Sequence, residues 1–417
     1  MQPTHDACCG FDDVRMRGFR ERATVEHAWA WLDQQTQALL PTTVPLAEAC
    51  GRVLASRVIA QLDVPPFDRS AMDGFALRGA ETTGAGDYNP LTLQVIGQSL
   101  PGKPFVGDVA LGTATRIMTG APLPSGADAV LPAEFAREVG ELVEFTTAVA
   151  PGRNVGRKGE DVVAGQAILE AGRRLRPQDV GLLASIGLSS VSVMRRPRVR
   201  VIATGNELAM PGESRAAFQI FDSNSITLRA LIERDGGEIE SLLLLADDRD
   251  VIKSAMTEPG ADVILVSGGS SVGAEDHAPG ILAEVGQLPI HGVAMRPSSP
   301  TGIGHIDNVL VFLLPGNPVS CLCAYDFFAG RAIRRLGGRA IEWPYVRLRA
   351  IVGSKIISAV GRVDYCRVRL DAGRIEPIST SGASILSSTT RAAGFVVVPA
   401  ELEGYAPGSE VDVFLYG

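Results

Sequence analysis

Four apolar runs dominate the stretch between residues 196 and 336: VRVIA (199–203), ESLLLL (240–245), DVILVS (262–267) and VLVFLL (309–314). Near-continuous apolar runs, without the alternation of a half-solvated strand, are buried on both faces; they suit a parallel sheet covered by helices. The segments between them carry helix signals. Asp222, Ser223 and Asn224 can cap a helix that stops at Gly236-Gly237, Asp247-Asp248 can open a second, and Pro315-Gly316-Asn317-Pro318 precedes a long helix running to Leu336. The spacing therefore predicts a central three-layer α/β domain with a mostly parallel sheet over 196–340.

The remaining sequence has a different character. From Thr24, a possible N-cap, Val25, Ala28, Trp29, Leu32, Leu39 and Leu40 recur at helical spacing until Pro41. Glycine and proline number 46 and 26 of 417 residues, and they are dense among short β-branched runs from about 61 to 162, as in a small β domain rich in turns. Pro177 can sit in the first turn of a helix ended by Gly187, in a segment expected to return beside the first helix. The runs YVRLRAIV, YCRVRL, FVVVPA and VDVFLY alternate with turns near the end of the chain. The expected fold is multidomain α/β and β: an elongated, discontinuous linking domain (20–60 plus 163–195), a β-rich lid-like domain (61–162), the α/β domain, and a small β-barrel-like domain (341–417).

Charge narrows the function classes. With 39 basic and 47 acidic side chains the net charge is −8, there is no Lys/Arg block, and aromatics are 6%, so nucleic acid is not an expected partner. The start, MQPTHDACCGFDDV, has acids where a signal peptide has a basic segment, and no apolar run approaches the ~18 residues of a membrane span. A cytoplasmic location without membrane contact is expected. The six cysteines, at 8, 9, 50, 321, 323 and 366, form no CxxC pair; Cys8 and Cys9 with His5 could hold a metal loosely, against the simpler reading of unpaired terminal thiols.

Three glycine-containing loops, TGNE, SGGSS and PGNP, each follow a predicted strand. Ligands of parallel sheets bind at the strands' carboxyl ends, where bare backbone N–H groups can cradle an oxyanion. Glu207, Asp222, Asp247, Asp248 and Asp276 fall on the same edge. Carboxylates beside phosphate suit Mg²⁺, although helix capping explains Asp222, Asp247 and Asp248 as well. Neither GxxxxGK[ST], GxGxxG nor HxxxH occurs, which argues against P-loop, dinucleotide and zinc-hydrolase chemistry.

PFDRSAMDGFA, RIMTGAPLPSGADAV, GRKGEDVVAG, ATGNEL, SGGSSVGAED and LLPGNPVS occur in that order, and with them the chain resembles the molybdopterin molybdenumtransferase family, the MoeA and gephyrin E-domain-like proteins of molybdenum cofactor biosynthesis. The resemblance spans about Thr24 to Tyr416. It implies a molybdopterin-binding α/β domain and insertion of molybdate into adenylylated molybdopterin with release of AMP, assisted by Mg²⁺. It further implies a homodimer with the active site between subunits, and as further partners a molybdopterin adenylyltransferase and the apo-molybdoenzymes or their chaperones. Carried onto matching positions, Asp73, Thr119, Asp161, Glu207 and Asp276 would be catalytic, and Asp247 with Asp276 would hold the metal. Thr204, Gly205, Ser267, Gly268, Gly269, Ser271, Gly316, Asn317 and Pro318 would bind substrate, while Ser299, Pro300, Arg367 and Ser387 would contact molybdate.

The chain departs from that family at two places. Where PGKP is usual it reads Arg296-Pro297-Ser298-Ser299-Pro300, so a lysine has become Ser299; a mobile cation is replaced by a hydroxyl. In the SGG loop Ser270 stands where Val is usual and Ala274 replaces an acid. These departures motivate an alternative, a non-catalytic paralogue that carries pterin or serves as a scaffold. A third reading is an adenylyltransferase acting one step earlier, since such proteins share the α/β domain in outline.

Overall fold

The computed structural model describes residues 21–269, 276–379 and 382–416. Residues 43–193 form one compact unit; residues 21–42 and the described residues from 194 onward form the other.

The first unit is built on a six-stranded sheet. Its strands are β1 (Gly74–Leu77), β2 (Leu91–Ser99), β3 (Thr113–Ile117), β4 (Ala129–Pro132), β5 (Ala136–Val139) and β6 (Leu142–Phe145), in the order β4-β1-β3-β2-β6-β5. Phe75, Leu77, Leu93, Leu131, Val143 and Phe145 form its core. Gly74 is required by close approach, since a Cβ there would lie 1.9 Å from the Leu131 carbonyl oxygen. A second cluster gathers Val44, Leu54, Leu169 and Val193 around Leu183. Leu183 lies on a short helix, α2 (Pro177–Ser185), with Pro177 in its first turn and Gly187 at φ +82° beyond its end.

The helix from Thr24, α1 (Val25–Gln35), differs from expectation in length and in place. Thr24 Oγ1 accepts the His27 N–H at 3.1 Å, as a capping residue should. At Thr36 the backbone turns extended, its hydroxyl donates to the Leu32 carbonyl at 2.7 Å and its own carbonyl accepts from Arg335. The helix therefore stops well before Pro41, and Leu40, the end of the expected stripe, is 82% exposed. Val25 and Leu32 pack in the core of the second unit, not with the 163–195 segment.

In the second unit a six-stranded sheet is assembled from β7 (Arg198–Thr204), β8 (Glu238–Leu245), β9 (Val263–Ser267), β10 (Gln287–His291), β11 (Gly302–Ile306) and β12 (Val309–Leu314), in the order β8-β7-β9-β12-β11-β10. The first four are parallel, and β11 and β10 add an antiparallel edge. Leu228 and Ile232 of α3 (Asn224–Asp235) and Ile333 pack on one face with Val199, Val201, Leu265 and Phe312. Ile252 of α4 (Arg249–Thr257) and Ile281 of α5 (Ala278–Val285) cover the other with Ile202, Ile264 and Leu313. The long helix does run to Leu336, as α6 (Pro318–Ala324), a π-helical turn (Tyr325–Ala329) and α7 (Gly330–Leu336).

The last strands, β13 (Val346–Val352), β14 (Val363–Asp371), β15 (Arg374–Ser379), β16 (Gly394–Val398) and β17 (Glu410–Leu415), pair in a ring, β14-β15-β13-β17-β16 and back to β14. Closure removes the free edges that an open five-stranded sheet would present. Met295 and Arg296 pair with Val363 and Asp364 of β14, which places the 296–300 turn against the barrel.

Candidate functional site

The chain enters the α/β sheet at β7, lays β8 on one side and then crosses to lay β9 on the other. The point between β7 and β9 is a topological switch, where the outgoing loops diverge and leave a crevice. A cavity of about 830 Å³ lies there. Thr204 and Gly205 line it from the end of β7, Ser267, Gly268 and Gly269 from the end of β9, and Gly316, Asn317 and Pro318 from the start of α6; Glu207, Asp247 and Asp276 stand around it. With Asp222, which also lines it, one cavity thus collects three loops and four acids from distant parts of the sequence. Ser271, Ser270 and Ala274 lie outside the described residues, as do His5, Cys8 and Cys9.

Local hydrogen bonds fix this wall. Asn224 donates through Nδ2 to Ser267 Oγ at 2.9 Å and to the Gly316 carbonyl at 2.8 Å, tying two loop ends together. Asp247 Oδ2 accepts the Asn206 N–H at 3.0 Å, and Asp248 Oδ1 accepts the N–H groups of Asp250 and Val251. Asp248 is therefore a helix cap. Gly268 has φ +95°, and a Cβ on it would stand 2.3 Å from the Thr204 carbonyl oxygen. Burial lifts the Cys321 thiol, 3.7 Å from Ser267 Oγ, to about 12, so it stays protonated.

Leu208, Ile220, Phe221 and Ser384 also line the cavity without belonging to any of the three glycine-containing loop motifs. Ser384, reached only through the fold, donates to Asn317 Oδ1 at 2.8 Å. The exposed Ile220-Phe221 pair directly preceding Asp222 was the available signal for its wall.

A second cavity, of about 350 Å³, shares Pro300, Pro315 and Asn317 with the first. Ser299, Arg296 and Arg367 line it. Ser299 Oγ and Arg296 Nε are buried without a hydrogen-bond partner among the described residues, while the other end of Arg296 pairs with Asp364. Ser298, at φ +84°, occupies a backbone conformation that favours glycine and donates to the Ser320 carbonyl at 2.5 Å. Ser387 begins α8 (Ser387–Thr390), is exposed, and lines neither cavity. Its side chain is thus not placed for the oxyanion role its short motif suggested.

Asp73 and Thr119 belong to the other unit and meet there. Asp73 Oδ1 accepts both the N–H and the hydroxyl of Thr119, each at 2.7 Å. The Thr119 N–H first, and then its hydroxyl, hold the carboxyl below the usual carboxylate range. Asp161 is exposed in the loop after Gly156, its N–H donating to the Val64 carbonyl.

A cavity at a topological switch point, floored by glycine-rich turns and opening beside an arginine-lined compartment, defines a class: an α/β protein that binds a phosphorylated or oxyanionic ligand. Residues 23–187 match the MoeA N-terminal region (domain I and II), 200–335 the probable molybdopterin binding domain, and 349–416 the MoeA C-terminal region (domain IV). A putative molybdopterin biosynthesis protein of Methanocaldococcus jannaschii is 32% identical over 95% of this chain and 96% of its own. The molybdopterin molybdenumtransferase of Haemophilus influenzae is 34% identical over 88% and 92%. The crystal structure of a molybdopterin biosynthesis protein, MoeA, from Pyrococcus horikoshii OT3 superposes with a TM-score of 0.77 at 33% identity, covering 95% of this chain and all of that one. The chain belongs to the MoeA, or molybdopterin molybdenumtransferase, family.

Proposed function

We propose that this protein is a molybdopterin molybdenumtransferase: it binds adenylylated molybdopterin, places molybdate at the dithiolene sulfurs and releases AMP. The observation that carries this reading is the pair of adjoining cavities, a glycine-floored one for the phosphorylated substrate and an arginine-lined one for the tetrahedral oxyanion, separated by Pro300, Pro315 and Asn317. In this reading the backbone N–H groups of the 267–269 and 316–318 turns hold the pyrophosphate, and Arg296, Arg367 and Ser299 hold molybdate beside it.

Among the described residues no group of three or more His, Cys, Asp or Glu side chains is placed to hold a metal. Mg²⁺ takes one or two protein carboxylates and completes its octahedron with phosphate oxygens and water; Asp247 and Asp276, both at the larger cavity, are the carboxylates we assign. When bound, the ion would neutralise charge on the phosphates as AMP leaves. In the homodimer we propose, Asp73, Thr119 and Asp161 of one copy serve the cavity of the other, and a molybdopterin adenylyltransferase and the apo-molybdoenzymes or their chaperones are the proteins met before and after the reaction. No helix among the described residues is long and apolar enough to cross a membrane, and we place the protein in the cytoplasm.

The test is a single turnover of purified protein with adenylylated molybdopterin, Mg²⁺ and molybdate or tungstate. Oxyanion-dependent AMP release with metal retained on the pterin is expected. Tight pterin binding without turnover would favour the carrier or scaffold, a reading supported by the hydroxyl of Ser299 where the family places a lysine.

A further inference from the structure

Among the described residues, two buried polar atoms on the wall of the larger cavity have no hydrogen-bond partner: Thr204 Oγ1 and Asp222 Oδ2. They differ in what they can meet. The threonine hydroxyl can donate, and it lies beside Gly268 and Gly269, where a Cβ on either would be 3.1 Å from it, so it suits a phosphate oxygen. Asp222 is 3% exposed and its carboxylate can only accept. Facing a phosphate it would meet like charge; it needs hydrogen-bond donors on the ligand.

The surroundings of Asp222 describe the ligand further. Its Oδ1 accepts the Ser225 N–H at 3.1 Å, which fixes the carboxylate at the start of α3 and leaves Oδ2 for the ligand. Immediately before it, Ile220 and Phe221 line the same cavity while 58% and 44% exposed. Arg215 lies with its guanidinium carbon 5.9 Å from the centre of the Phe221 ring. An apolar, partly aromatic wall beside an acceptor-only group suits a flat heterocycle that presents N–H groups along one edge.

We propose that Asp222, with Phe221 beside it, recognises the 2-aminopyrimidin-4-one edge of the pterin, through its ring N–H and amino group. Adenine presents an acceptor beside its amino group on the corresponding edge and does not match a carboxylate in this way. The wall at 220–222 is therefore the pterin end of the cavity, and the adenylyl group lies away from it. This assignment rests on the molybdopterin reading above. Asp222 is a substrate-specificity residue in it, separate from the carboxylates assigned to the metal.

Intrinsic fluorescence makes 6-hydroxymethylpterin a direct probe, with AMP and GMP titrated in parallel. Asp222→Asn keeps the oxygen that caps α3 and replaces the free acceptor with a donor. We expect it to weaken pterin binding at least ~10-fold while AMP binding changes less than about twofold. Phe221→Ala, on the surface and free of any capping duty, should weaken pterin severalfold and spare AMP. Unchanged pterin binding in Asp222→Asn, or equal loss of pterin and AMP, overturns the assignment. So does loss of Mg²⁺-dependent AMP binding with pterin binding intact, which would make Asp222 a metal ligand, and so does tighter binding of GMP, which carries the same edge on a purine, than of the pterin. A wild-type protein that binds no pterin at all overturns the molybdopterin reading itself, whereas wild-type binding that survives both substitutions removes only the role of residues 221 and 222.

Discussion

In the β-rich unit Asp73 is exposed and places one oxygen on two donors of Thr119, which lies just beyond the paired strand β3. In the α/β unit Asp222 is buried; one oxygen caps α3 and the other has no partner among the described residues. The first acid sits in a surface arrangement that satisfies itself and needs no ligand to exist. The second carries an unmet demand in a low-dielectric wall, which a ligand can fill. A paired exposed acid and an unpaired buried one are thus different kinds of evidence, and only the second specifies the chemistry of what binds.

The strongest way to break this comparison is Gly268→Ala. A methyl group 2.3 Å from the Thr204 carbonyl oxygen, at φ +95°, should displace the 267–269 turn and lower AMP release in single turnover by ~100-fold or more, the scale of losing a fitted anion donor. Turnover within tenfold of the wild type would show that the glycine turn does not shape the site. Gly74→Ala puts the same kind of clash, 1.9 Å from the Leu131 oxygen, into the other unit's core. Its effect should appear in urea unfolding as ~1–3 kcal/mol of lost stability, with pterin and AMP affinities retained.

Ser299→Lys sharpens the contrast within the second unit. A lysine at the wall that holds Arg296 and Arg367 should raise molybdate affinity about tenfold and make it more sensitive to salt, as read by calorimetry at two ionic strengths; an unchanged affinity would mean that the hydroxyl is no handicap. For the exposed pair, the sign of the pH effect is fixed by the depressed carboxyl of Asp73. Its bonds to Thr119 favour the folded state at pH above the unfolded value near ~3.9 and lose that contribution as pH falls through the lower folded value. Thr119→Val removes the hydroxyl and keeps the backbone N–H, so the Asp73 midpoint followed by carboxyl NMR should rise part of the way back. A midpoint that does not move would assign the whole depression to the N–H. The smallest effect belongs to Leu40→Ser. At 82% exposure its loss should change stability by no more than ~0.5 kcal/mol, whereas a core position of a longer α1 would cost several times that.

The apolar runs at 199–203, 262–267 and 309–314 were readable as parallel strands because burial on both faces removes polar residues from a strand whatever its neighbours are. Capping by Thr24 and Asp248, and the end of α3 at Gly236 (φ +90°), were readable for the same reason: a helix end is satisfied within a few residues of itself. The glycine loops and their acids could be named as a group because each sits at the end of such a strand. Other features depend on partners distant in sequence. α1 stops at Gln35 because Arg335 holds the carbonyl of Thr36, 299 positions away. The position of the cavity depends on β8 and β9 falling on opposite sides of β7, a strand order that no local pattern encodes. Ser387 fitted a short motif and was placed elsewhere by the barrel's connections, and Ser384 was brought to Asn317 by the same connections. The sequence by itself determined which segments are strands, where helices begin and which glycine loops follow those strands, because these depend on local burial, capping and backbone freedom. Tertiary structure alone decided which loops share one cavity and which buried oxygens there have no partner among the described residues, because hydrogen-bond satisfaction is a sum over neighbours that only the folded chain brings together.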